Sequence, residues 1–226
     1  MKAVKHLIGA AALAFASTSA NAVVYSFDCF TNNNAASCSG LDASGQITMD
    51  VTSANATQVQ FVFANAGPVA SSIAQIYWDT GLLSGVASVG ATVGTVNFTV
   101  GSPSPANLPS QNTAPGGFVT DFGIGANNPA PSNGINPGES LSLLLNLAPG
   151  ASFANLITAL NSATASEVGM HVISVGTAGN SESLVNCSRG SCGGGSILIV
   201  PEPGSLALLG LAVLGLAATS RKRLRA

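Results

Sequence analysis

Residues 47–63 read ITMDVTSANATQVQFVF, and this stretch decides the fold. Ile47, Met49 and Val51 alternate with Thr48 and Asp50; after a polar turn, Val59, Phe61 and Phe63 resume the same period. Successive side chains on a strand point to opposite faces, so a period of two buries one face and wets the other. The pattern spreads outward from there. Val96, Phe98 and Val100 alternate with Thr95, Asn97 and Thr99, and Leu141, Leu143, Leu145 and Leu147 form a stripe broken on the opposite face only by Leu144. Further strands are expected at 23–30, 73–78, 168–175 and 197–200. Roughly eight or nine short strands separated by Gly, Asn and Pro predict a mainly β chain, folded as an antiparallel, jelly-roll-like β-sandwich. One segment departs from the period. Phe153, Leu156, Ile157 and Leu160 fall at helical spacing after the Pro149-Gly150 turn, which predicts one short amphipathic helix. Residues 101–138 hold seven Pro and seven Gly and read as a long loop region, with a short strand at 118–124. A loop of that length is usually functional, mobile or a surface excursion.

Composition narrows the function. Of 226 residues, 46% are hydrophobic and 7% charged, where a soluble domain carries about a quarter charged residues. The bases are segregated. Lys2 and Lys5 open the chain, and Arg221, Lys222, Arg223 and Arg225 lie at its other end. Between residues 23 and 200 one base, Arg189, faces eight acids: Asp28, Asp42, Asp50, Asp79, Asp121, Glu139, Glu167 and Glu182. Neutralising a phosphate backbone requires a basic face, so nucleic acid is excluded as a partner.

The segregated bases mark two targeting segments. Residues 1–22 have a basic start, an apolar run at 7–16 and the small-x-small site Ala20-Asn21-Ala22; this is a secretory signal helix with cleavage after Ala22. At the other end, Val200-Pro201-Glu202-Pro203-Gly204-Ser205 precedes an apolar run to about Thr219 and then the basic cluster Arg221, Lys222, Arg223 and Arg225. As a helix that run of ~16 residues spans roughly 24 Å, a short transmembrane segment that snorkelling or local thinning completes. The basic cluster acts as stop-transfer and places the C-terminus in the cytoplasm. The expected organisation is a signal peptide at 1–22, a secreted domain at 23–200 and a sorting tail at 201–226.

The tail resembles the PEP-CTERM sorting signal, with Pro201, Glu202 and Pro203 as its motif. More loosely, residues 73–81 and 169–183 are similar to segments recurring in such proteins. The resemblance implies a Gram-negative bacterium and an exosortase, a membrane-embedded cysteine protease that processes the tail near Pro-Glu-Pro. It also implies an inner-membrane intermediate that passes to the cell surface or extracellular matrix, associated with exopolysaccharide and biofilm.

The domain offers little chemistry. Four Cys in an exported chain should pair. Local pairing, Cys29 with Cys38 and Cys187 with Cys192, is favoured because each short loop brings its own ends together, and crossed pairing is the alternative. Neither spacing is that of a zinc site, and His171 is the region's only imidazole, so no metal and no cofactor are expected. His171 lies inside an apolar strand, and no G-x-S-x-G elbow is present. No catalytic residue is assigned and the protein is read as non-enzymatic. A secreted hydrolase built on two carboxylates is a minor alternative. The candidate glycan contacts are Tyr77, Trp78 and Asp79: neighbours on a strand face opposite ways, so one ring could be exposed beside the carboxylate and stack on a sugar. A carbohydrate-binding module is therefore the second reading. Asn55, Asn97 and Asn186 each begin an N-glycosylation pattern.

Overall fold

The structure is a computed structural model that describes residues 22–101, 103–114, 116–162, 167–186 and 198–199. The signal helix, the transmembrane helix and the loop holding Cys187 and Cys192 lie outside the described residues. The elements are β1 (Val23–Cys29), α1 (Ala35–Ser44), β2 (Ile47–Asn55), β3 (Gln58–Asn65), β4 (Ser72–Trp78), β5 (Leu83–Val93), β6 (Phe98–Val100), β7 (Phe122–Ala126), α2 (Ala130–Asn133), β8 (Glu139–Leu147), α3 (Phe153–Leu160), β9 (Val168–Val175), β10 (Asn180–Asn186) and β11 (Leu198–Ile199).

Ten strands follow one antiparallel path, β5-β8-β3-β2-β1-β10-β9-β4-β7-β6, with β11 paired to β1 beside it. β1 is the hinge. Its first half, Val23 to Ser26, pairs with β2, and its second half, Phe27 to Cys29, pairs with β10. The two wings curl from this strand until β5 and β6, the ends of the path, come side by side without a ladder. The result is a nearly closed, barrel-like sheet.

The stripes expected from the alternation line its interior. Met49, Val51, Val59, Phe61, Phe63, Leu141, Leu143 and Leu145 come from one wing and are wholly buried. Ile73, Ile76, Trp78, Ile124, Val168, Met170 and Val172 come from the other. The wings meet at Trp78, whose indole takes Phe61 and Phe63 edge-on at centroid distances of 6.2 and 6.0 Å. Each such side chain contributes about 1.5–3 kcal/mol by leaving water. Leu156 and Leu160 of α3, the expected amphipathic helix, are buried against this same core.

β10 is a strand that the sequence reading did not place, and α2 is a short helix inside the region read as loop; three further features differ. α1 is a further helix, and it carries little apolar signal because only Ser37, Cys38 and Leu41 are buried. Its ends explain it: the Asn34 side chain accepts from Ser37 N–H, and Gly45 closes it in the left-handed region at φ 56°. β5 is the second, its period hidden by three register shifts along an alanine-, glycine- and serine-rich run. The third is the Gly/Pro-rich region, which is packed rather than a free excursion. Leu108, Ala114 and Phe118 form a second cluster with Tyr77 and Val185 on the outer face of the sheet. Gly169 makes room for it, since a Cβ there would stand 2.5 Å from a Leu108 methyl. The strand expected at 118–124 is β7, shifted to Phe122–Ala126, where Gly123 and Gly125 underlie Pro103.

Candidate functional site

The expected N-terminal cut and the sorting motif both adjoin, in sequence, strands that pair with each other. β11 pairs antiparallel with the start of β1, Ile199 opposite Val23 and Leu198 opposite Val24. Ala22, the residue before the expected N-terminal cut, thus adjoins the strand that leads into the sorting tail. Ala20, Pro201, Glu202, Pro203, Arg221, Lys222, Arg223 and Arg225 lie outside the described residues. Among the described residues no helix is long and apolar enough to cross a membrane.

Cys29 and Cys38 form a disulfide with 5.6 Å between Cα atoms, the local pairing expected for that pair. Cys187 and Cys192 lie outside the described residues. Beside the bridge stands Glu182, which is wholly buried although it is a carboxylate. It accepts hydrogen bonds from Thr31 Oγ1 at 2.8 Å, Asn33 N–H at 3.1 Å and Asn34 N–H at 2.8 Å. The Thr31 hydroxyl in turn accepts from Ser183 N–H at 2.7 Å. β10 therefore pins the segment that enters α1. Glu182 comes near both sulfurs, but sulfurs bonded to each other offer a metal no thiolate.

The Tyr77-Trp78-Asp79 reading needs correction. The strand does send the two rings to opposite faces, yet neither is exposed. Trp78 sits in the main core, and Tyr77 lies under the Gly/Pro-rich cover, its hydroxyl donating to the Pro105 carbonyl at 2.6 Å. Burial raises the Tyr77 hydroxyl pKa well above its usual range. Neither ring can stack on a sugar, and Asp79 accepts from Val119 N–H at 2.7 Å, tying down the cover. The outer face is occupied by the protein's own loop, something that strand alternation cannot reveal.

His171 is half-buried, and burial holds its imidazole pKa below the ordinary value. Its Nδ1 lies 2.6 Å from Gln75 Oε1, and the Gln75 amide donates to the Ser104 carbonyl at 3.0 Å. This chain links β9 to the cover. Asp79, Asp121 and Glu167 converge although they are distant in sequence. Burial raises the Glu167 carboxyl first; Thr80 lowers it by a hydrogen bond, and the charges of Asp79 and Asp121 raise it further. Of the glycosylation patterns, Asn55 and Asn97 are exposed. Asn186 is buried, its side-chain oxygen accepting from Glu167 and Val168 N–H.

The feature that the sequence did not indicate is a cleft of about 480 Å³ at the seam between β5 and β6. Phe122, half-buried, is its aromatic residue, with exposed Asp121 and Asn107 at its rim. The Phe122 ring stacks on Trp78 at 5.1 Å and 12°.

Residues 200–223 match the family model described as the PEP-CTERM protein-sorting motif. The chain therefore carries a PEP-CTERM sorting signal, the mark of an exported protein handled by an exosortase through a membrane-anchored C-terminal intermediate. No curated protein and no solved structure matches the chain.

Proposed function

We propose that the mature domain, residues 23–200, is a non-enzymatic surface or matrix protein of a Gram-negative bacterium, released from its 1–22 leader and separated by an exosortase from its 201–226 tail. The single observation that carries this reading is the sorting motif at 200–223. It is supported by the tail's own physics. A short apolar run closed by Arg221, Lys222, Arg223 and Arg225 stops in the membrane, and Pro201 and Pro203 keep the approach extended. Glu202 is then presented to the protease beside the outer face. In favour of a non-enzymatic role, His171 is engaged by Gln75. Association with exopolysaccharide is the role we assign to the domain once it is outside. We also read the curled sheet as a jelly-roll-like sandwich hinged at β1, supported by Phe61 and Phe63 of one wing meeting Trp78 of the other.

The test is the intact mass of the protein from host cells with and without the exosortase. Loss of about the last two dozen residues only when the enzyme is present supports the reading. An intact C-terminus in both strains overturns it. Glu202→Ala should leave export unchanged and let the uncut form accumulate in the membrane.

A further inference from the structure

We propose that the cleft at the seam of the barrel is a carbohydrate site for pyranose units of a neutral or amino-sugar polysaccharide, with Phe122 as stacking platform and Asn107 and Asp121 as hydroxyl-binding groups; this rests on the matrix role proposed above. The cleft has a topological cause. β6 ends at Val100, opposite Ile124, so Phe122 and Gly123 of β7 have a ladder partner only on the β4 side. From the other end of the path, β5 reaches the seam at Gly85 and Val86. The gap between them encloses about 480 Å³, within the range of small-ligand sites.

The platform is rigid. Phe122 stacks on Trp78, and Trp78 is itself held edge-on by Phe61 and Phe63. A ring fixed in this way has little rotamer freedom left to lose when a ligand lands on it. The negative face of an aromatic ring attracts the weakly positive C–H face of a pyranose. Asp121 is fixed too, because one carboxylate oxygen accepts from Thr80 N–H at 2.9 Å. Its other oxygen and the exposed Asn107 amide together offer donors and acceptors to adjacent hydroxyls. A second cavity of about 220 Å³ shares Val100, Gly101 and Pro103 with the first and adds Gln75, Thr99 and Asn127. The two make an amide- and hydroxyl-lined track across Pro103, suited to a chain of sugars rather than to one.

Charge chooses among glycans. Residues 22–186 contain eight Asp and Glu and no Lys or Arg. An acidic polysaccharide would meet repulsion, while a neutral or amino-sugar chain would not.

The experiment is calorimetric titration of the purified exported protein with three probes: a neutral gluco-oligosaccharide, a chitosan oligosaccharide and an oligogalacturonate. Saturable binding of the neutral or amino-sugar probe, with the acidic one weaker, is the expected result. Phe122→Ala should weaken binding by at least about tenfold. Because Phe122 also packs on the core, a second variant is needed. Ala106→Trp, at an exposed position on the cleft wall, should abolish binding with the melting temperature unchanged. Val119→Ala, exposed outside the cleft, should change neither. The proposal is overturned by failure of all three probes, by a preference for the acidic one, or by full binding in both cleft variants. Binding of an extended valine-rich peptide that Ala106→Trp blocks, with no sugar response, would assign the seam to strand addition and also overturn it. A protein that is cut by the exosortase yet binds no sugar loses this site alone; one that binds sugar with its tail uncut keeps the site and loses the sorting reading.

Discussion

Glu182→Gln tests whether a buried carboxylate, rather than apolar packing, organises the entry to α1. One carboxylate oxygen accepts from Asn34 N–H, and the other accepts from Asn33 N–H and the Thr31 hydroxyl. An amide has a single acceptor oxygen. In its better orientation it keeps Thr31 and Asn33 and turns its NH2 toward Asn34 N–H, so two donors face each other. A buried donor left without an acceptor costs about 1–3 kcal/mol. Two of them, one on Asn34 and one on the new amide, predict a loss of about 2–6 kcal/mol, a large part of the 5–15 kcal/mol that holds a typical domain together. Urea unfolding followed by fluorescence reads this directly, because Trp78 is the only Trp and lies in the core. Glu139→Gln is the comparison. Its carboxylate accepts from the N–H and hydroxyl of Thr95 and the N–H and amide of Asn136; it is less buried, so water can replace them and its loss should be much smaller. A Glu182→Gln loss below about 0.5 kcal/mol, or one equal to that of Glu139→Gln, would refute the reasoning.

Replacing Cys29 and Cys38 by Ala opens a loop of sequence separation 9 and should lower stability by about 2.6 kcal/mol on the chain-entropy relation; equal denaturation midpoints for the oxidised and substituted proteins would contradict this. Phe118→Ala removes the largest ring of the outer cluster that belongs to the cover and should cost about 3–5 kcal/mol, with protease cuts inside 101–121 preceding global unfolding. Burial raises the carboxyl pKa of Asp50, which faces Val24 and Val62 across the ladders, and of Glu167; their stabilising share is complete below the ordinary carboxylate range and is lost as pH rises through the folded values. His171 opposes them, since burial lowers its pKa and its share is lost as pH falls through the folded value. Asp42 is raised by burial in the same way, while at Glu139 burial is outweighed by hydrogen bonds from Thr95 and Asn136 that lower it. Three raised carboxylates therefore favour a melting temperature that climbs as pH falls through their folded values, and Asp50→Asn should reduce that climb; an Asp50→Asn profile parallel to that of the unchanged protein would sink the assignment.

The main sheet was legible because burial on one face imposes a period of two, and Ile47, Met49, Val51, Phe61, Phe63 and the Leu141 to Leu147 stripe obey it to the residue. α3 was legible for the same reason at a period of 3.6. What the sequence concealed depends on partners far along the chain. α1 owes its place to Glu182, some 150 residues away, and to a disulfide, so its own apolar signal is faint. β5 loses its period to bulges. The burial of Tyr77 was hidden because the cover that buries it is a Pro- and Gly-rich run without periodicity, whose apolar Leu108, Ala114 and Phe118 are spaced by turn geometry. The seam cleft was the least legible. It arises where β6 stops short of β7, a relation between strand lengths that no local pattern encodes.

Topology also bears on how an exported chain of this kind completes itself. β1, the first strand among the described residues, takes β2 on one side from nearby sequence, but its other side waits for β10 and β11, more than 150 residues later. Non-local ladders form slowly because loop closure precedes any contact gain. Until residues 180–199 have crossed, β1 presents an open edge, the feature most prone to wrong pairing. The residues that close it lie immediately before the sorting motif at 200–223. A tail that stops in the membrane therefore holds the closing strands of the domain at one surface, beside the start of β1. Detaching the tail at that point removes the anchor only after the segment that finishes the ladder has been delivered. The placement of β11 two residues ahead of Pro201 makes the order of folding and release a property of the chain's connectivity.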